Sequence, residues 1–133
     1  MSAAQQRGHR YNPWLHAQEL GLAVTYRRLP DDMCGAYDHS ARTVILDPEL
    51  TVAQERVTLA HEIEHHRRGH AGPQSAQIES GVDRAVLRRL VDFDVLARFL
   101  DRGFVVDKPL HRDVLAHWLG VDGPSVCQAV DLL

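Results

Sequence analysis

The chain has 133 residues, a length that fits one domain with a real hydrophobic core but not two. Hydrophobic residues make up 44% and charged residues 25%, the balance of an ordinary globular protein rather than a disordered one. The net charge of −3 gives no electrostatic ground for direct nucleic-acid or membrane binding, and no apolar run approaches the roughly 18 residues of a membrane span.

Met1 to Arg10 contains no apolar signal region, so the expected compartment is the cytoplasm. Cys34 and Cys127 form no C-x-x-C pair, and a reducing compartment keeps them as thiols. Residues 1–11 are polar and irregular and read as a flexible lead-in. Asn12-Pro13 then reads as the cap and first residue of a short helix that stops at Gly21. From Leu22 to Leu29 apolar and polar residues alternate, which predicts a half-buried strand. Pro30-Asp31-Asp32 is a turn, Met33 to Asp38 a second strand weakened by Gly35, and Arg42 to Leu46 a third, rich in β-branched residues.

Thr51-Val52-Ala53-Gln54 has the form of a capping box. The helix it opens draws core contacts from Val52, Leu59, Ala60 and Ile63 and closes at Gly69. A further helix runs from about Ser75 to Leu90, with Ile78, Val82, Val86 and Leu90 at steps of four. Asp92 caps another that ends at Gly103, and two short helices follow over 111–119 and 124–132. The whole predicts an α+β domain spanning 1–133: a small three-stranded antiparallel sheet packed on the Thr51 helix and further helices, with residues 104–133 as a helical C-terminal cap. Within that cap, 112–130 has the spacing of a helix-turn-helix. Its net acidic charge opposes phosphate contacts, so a structural role is expected.

The chemistry concentrates in His61-Glu62-Ile63-Glu64-His65, within a stretch where four of the nine histidines (His61, His65, His66, His70) fall in ten residues. On a helix, His61 and His65 lie about 400° apart, one turn along the same side, so both can reach one metal ion. Glu62 lies about 100° round from His61, close enough to act as a general base without ligating. Glu64 points away, about 200° from Glu62. A catalytic zinc takes three protein ligands and keeps a fourth position open. His70 does not complete the H-E-x-x-H-x-x-G-x-x-H pattern, because Gly69 and His70 are each displaced by one residue. Glu79 is the better third ligand: it lies on the next predicted helix, with Asp83 one turn on to accept a ligand histidine's free N–H.

Arg56-Val57-Thr58-Leu59-Ala60-His61-Glu62-Ile63-Glu64-His65, followed by Glu79-Ser80-Gly81-Val82-Asp83 and Arg88-Arg89-Leu90-Val91, resembles the ImmA/IrrE metallopeptidase family over roughly residues 20 to 100. That family carries R-x-TLAHE-x-GH and then E-x-x-A-(N/D) opening a long helix; here Glu64 stands in place of Gly and Val82 in place of Ala. The resemblance implies a minimal zincin-like, gluzincin-type core. It also implies one zinc ion on His61, His65 and Glu79, Glu62 as base, and Asp83 as outer partner. The implied activity is cleavage of a helix-turn-helix repressor or similar regulator, the alternative being a zinc-stabilised module that sequesters the regulator uncut. Tyr37, His39, His66 and His70 are candidates for steadying the oxyanion or contacting substrate, and the Arg42–Leu46 strand for pairing an extended substrate. Arg84, Arg88 and Arg89 read as a solvated face, and Trp14 and Trp118 as packing residues.

Overall fold

The computed structural model describes residues 11–133. Of the expected lead-in, residues 1–10 lie outside the described residues, and Tyr11 departs from it. Tyr11 is buried, with its hydroxyl 2.6 Å from His16 Nδ1. Burial pushes its pKa up to about 12, against the opposing charge of Arg89. Helix α1 (Pro13–Glu19) begins as predicted, with the Asn12 side chain accepting from the Leu15 amide at 3.0 Å.

Strand β1 (Ala23–Tyr26) is shorter than the expected 22–29 and is followed by a 3-10 turn at Pro30–Asp32. Strands β2 (Gly35–Asp38) and β3 (Thr43–Leu46) form an antiparallel hairpin, but β3 inserts between its predecessors, giving the order β1-β3-β2. Ala23 to Tyr26 pair in parallel with Thr43 to Leu46, so the sheet is mixed rather than antiparallel. The physical reason is burial. Val44, Ile45 and Leu46 are all buried, so β3 is covered on both faces, as a central strand must be. β2 is left as an edge. Gly35 allows it to lie hard against the following helix: a Cβ there would come within 2.5 Å of Thr58 Cγ2.

Helix α2 (Val52–Arg67) starts with the predicted capping box, Thr51 and Gln54 exchanging side-chain and backbone bonds. It separates two apolar clusters. Leu59 and Ile63 join Ala17, Leu22, Val44 and Leu46 under the sheet. Ala60 faces the second cluster, built from α3 (Ala76–Leu90), α4 (Phe93–Asp101), α5 (Pro109–Leu119) and α6 (Gly123–Val130). Leu115, Leu119, Val126 and Ala129 sit in that cluster beside Val86 and Leu90, so the C-terminal helices complete the core of α3. No helix among the described residues is long and apolar enough to cross a membrane. Both cysteines are free.

Several expected core residues face solvent instead. Val52 is 74% exposed because it occupies the first turn of α2, before that helix reaches the sheet. Ile78 likewise precedes the point where α3 enters the core, and Trp118 is 62% exposed on α5, with its ring 6.3 Å from that of Phe99 and 6.1 Å from that of His117. Trp14 does pack, against the sheet cluster.

Two charged residues, Glu64 and Arg89, meet between α2 and α3, and for Arg89 this reverses the expected solvated face. Glu64 is only 4% exposed; its carboxylate accepts from Arg67 Nη1 at 2.9 Å and Arg68 Nε at 2.8 Å, with Arg89 Nε 4.0 Å away. Helix α3 thus approaches closely at Glu64, through Arg89. Burial works to raise the Glu64 pKa, but the bonds from Arg68 and Arg67 outweigh it and hold it low. Arg89 accordingly leaves the solvated face and lies over the Tyr11 ring at 5.8 Å, while Arg84 and Arg88 remain exposed.

Arg56, 7% exposed, spans the helical half of the molecule. Its Nη1 donates to the carbonyls of Leu119 (3.3 Å) and Gly120 (2.9 Å), and its Nη2 to those of Tyr11 (3.1 Å) and Leu90 (3.2 Å). Replacing it by Met keeps most of the apolar stem but leaves buried carbonyls without their donor. The expected loss is about 3–5 kcal/mol, read as a lower urea midpoint. Lys restores little, because one ammonium cannot reach both pairs of carbonyls; a midpoint unchanged in the Met variant would refute this role.

Candidate metal centre

Helix α2 delivers His61 and His65 one turn apart with their Nε2 atoms 3.2 Å from each other. Helix α3 brings Glu79 between them: Oε2 lies 3.3 Å from His61 Nε2, and Oε1 lies 3.1 Å from His65 Nε2. In a tetrahedral site with metal–ligand bonds of about 2.0–2.1 Å, neighbouring ligand atoms sit about 3.3 Å apart. The three groups stand at that spacing already. This His/His/Glu group could hold a metal ion.

The opposite ring nitrogens explain how the imidazoles are aimed. His61 Nδ1 lies 3.1 Å from Asp83 Oδ1, the outer contact expected for Asp83. His65 Nδ1 lies 2.9 Å from His70 Nδ1, a contact the sequence reading had not assigned. One tautomer assignment satisfies everything: Nδ1–H of each ligand histidine donates outward, to Asp83 and to His70, leaving both Nε2 lone pairs converging with Glu79. His70 arrives there by local backbone geometry. Gly69, at φ 72°, ends α2 in a Schellman turn in which the Gly69 amide donates to His66 and the His70 amide to His65. The Gly-His displacement that breaks the longer metal motif therefore carries His70 to the far side of His65. The signal was present in the sequence, since a glycine at that position folds the next residue back over the third-last of the helix.

Glu62 is 7% exposed beside the triad, in a cavity of about 360 Å³ lined also by Met33, Gly35, Tyr37, His70 and Pro73. Burial pushes its pKa up to about 7, countered by His61 and reinforced by Glu79. A cation held at the triad would draw that value down again. Burial also keeps His65 below its ordinary value, against the pull of Glu79. At His61 burial disfavours the imidazolium, but the Asp83 bond and the charges of Glu62, Asp83 and Glu79 outweigh it, and the pKa is raised.

The four candidates for oxyanion or substrate contact separate. Tyr37 and His70 line the cavity, but His70 is engaged by His65. His66 stands behind Tyr37, its Nδ1 2.6 Å from the phenol oxygen, and His39 Nδ1 is 3.3 Å from the same oxygen in an adjoining groove. Burial lowers the His66 pKa, helped by Arg42 and His39, which favours the neutral ring, and its tautomer sets the direction of the bond to Tyr37. The Arg42–Leu46 segment cannot accept an added strand, since β3 has neighbours on both sides; the free edge at the cavity belongs to β2.

Replacing His70 by Ala frees the His65 ring to turn, and the expected result is a 10- to 100-fold weaker metal affinity by competition with a chelator. An unaltered affinity would leave His70 without that role. Metal affinity should also fall as pH drops from about 8 to 6, because protons compete at the Nε2 atoms and do so at higher pH for His61 than for an ordinary histidine. An affinity flat across that range would contradict the assignment of His61 as a ligand. Scans of the sequence against protein-family models and against curated proteins give no match, so the reading of this centre rests on the residues and distances above.

Proposed function

We propose that the protein is a zinc-dependent endopeptidase acting on a regulatory protein, with the minimal zincin-like arrangement that the ImmA/IrrE resemblance implies. The observation that carries this reading is the convergence of His61 Nε2, His65 Nε2 and Glu79 at 3.1–3.3 Å with a buried carboxyl group, Glu62, beside them in an open cavity. An ion at the triad supplies a Lewis acid that polarises a peptide carbonyl and lowers the pKa of water.

The chain's own residues do the rest. Glu62, buried and adjacent, accepts the proton of the attacking water and later hands it to the departing amine. The unpaired edge of β2, whose Gly35, Ala36 and Tyr37 border the cavity, offers backbone donors and acceptors to an extended peptide laid across the site. Such pairing fixes the peptide backbone without reading its sequence. The Tyr37 hydroxyl lines the cavity and orients no ligand; with His66 protonated at Nδ1 and donating to the phenol oxygen, the phenol's own proton is free, and it is our choice for steadying the carbonyl oxygen as charge develops. The substrate class follows from the resemblance: a helix-turn-helix repressor or a regulator of that kind.

The test is Glu62→Gln. It should abolish cleavage of a co-expressed regulator, a loss of at least about 100-fold, while metal content by mass spectrometry stays at the wild-type value. If the variant keeps full biological effect, the centre serves as a zinc-stabilised binding module that sequesters its partner uncut.

A further inference from the structure

The charges of this acidic protein are unevenly placed. Five of its fifteen Lys and Arg residues (Arg67, Arg68, Arg84, Arg88 and Arg89) lie at the end of α2 and along α3. Three of them are joined through a single carboxylate: Arg67, Arg68 and Arg89 converge on Glu64. The row then continues across α3. Arg68 Nη1 and Arg84 Nη2 each lie 3.7 Å from the point where a Cβ on Gly81 would stand, so two guanidinium groups flank the bare backbone of that glycine. Arg84 is steadied by the Ser80 hydroxyl at 2.9 Å, and Arg88 follows it one turn along the same exposed face. Arg84 and Arg88 lie about 140° and 180° round α3 from Glu79, so this face is separate from the metal centre. Glu64 offsets one of the five charges and Arg89 also lies over the Tyr11 ring, while Arg84 and Arg88 stay exposed.

We propose that this arginine face docks a carboxylate-rich segment of a protein partner. Guanidinium groups pair bidentately with carboxylates, and a row of them one helical turn apart matches successive acidic side chains on an extended or helical segment. A short acidic segment fits better than a nucleic acid for two reasons. The face carries no aromatic residue on which bases could stack. A long polyanion would also run off the cluster onto a molecule whose net charge is −3. In making the partner the substrate, the proposal rests on the peptidase reading; the binding itself does not. The arginine face would then hold the regulator while β2 receives the stretch to be cut.

The experiment uses the full chain carrying Glu62→Gln, so that binding is read without turnover. Fluorescein-labelled hexaglutamate is titrated by anisotropy at about 50 mM salt, with hexalysine as the negative control and a DNA duplex as the rival probe. Hexaglutamate should bind, weakening steeply as salt rises. The double variant Arg84→Glu/Arg88→Glu should lower its affinity at least tenfold, and the milder Arg84→Ala/Arg88→Ala severalfold. Arg102→Glu/Lys108→Glu, equal in charge change but outside the face, should have little effect. Absence of hexaglutamate binding overturns the proposal, as does an equal loss in the Arg84/Arg88 and Arg102/Lys108 charge reversals, which would reveal only a net-charge effect. Tighter binding of the duplex through the same two arginines overturns the choice of an acidic segment. If cleavage by the unmodified protein is never found while hexaglutamate binding follows Arg84 and Arg88, the docking surface stands and the peptidase reading fails alone.

Discussion

The relation between α2 and α3 depends above all on the guanidinium of Arg56. A helix leaves its last carbonyls unpaired, and two of the ends that meet in the core, those of α3 at Leu90 and α5 at Leu119-Gly120, turn those carbonyls on one side chain. The same group holds the Tyr11 carbonyl where the described chain begins. A cation there answers the negative ends of both helices at once, which an apolar residue of equal size could not do. Since Glu79 and Asp83 come from α3 while His61 and His65 come from α2, the spacing of the candidate ligands is inherited from this joint. Positions 56 and 61 are a little over one turn apart on the same helix, so the structural cation and the chemical cluster share one rigid support.

A second joint between the same two helices is centred on Glu64. Glu64 draws Arg67, Arg68 and Arg89 together, and Arg89 reaches back to Tyr11. The helices are therefore tied by arginines twice, once through a carbonyl of α3 and once through a carboxylate of α2. The metal centre is acidic and imidazole-rich, whereas the outer face around Glu64 is basic. This separation of signs along one helical pair is why a modest net charge is a poor description of the surface.

Much of the fold was legible because the signals were local. Asn12, Thr51 with Gln54, Ser75 and Asp92 cap their helices as their types and spacing predict. His61, Glu62, His65, Glu79 and Asp83 were found from helical periodicity and come together as expected. The order of the strands was not legible by the same means, because β1 and β2 are close in sequence but are both paired to β3. The one available hint was that Val44-Ile45-Leu46 is an unbroken apolar run rather than an alternating one, the mark of a strand covered on both faces. Arg56, Glu64 and Arg89 were missed for a different reason. Charged residues default to solvent when read singly, and only tertiary structure supplies the partners that make their burial tolerable. Val52, Ile78 and Trp118 err in the opposite sense, since periodicity says which residues share a side but not how far along the helix the core extends.

The closeness in sequence of the candidate ligands has a mechanical consequence. His65 and Glu79 are joined by a short connection in which residues 67–69 and 71–73 are exposed. An ion bound to both closes that connection into a ring, as a disulfide would. In the chain-entropy picture, closing a loop of about 15 residues removes roughly 3 kcal/mol of freedom from the unfolded chain. The ion would thus act as a clasp on the helical hairpin as well as a chemical group, and the Schellman turn that carries His70 lies inside the clasped segment. Loss of the ion would be felt first as fraying of the last turn of α2, with the core clusters behind it still closed.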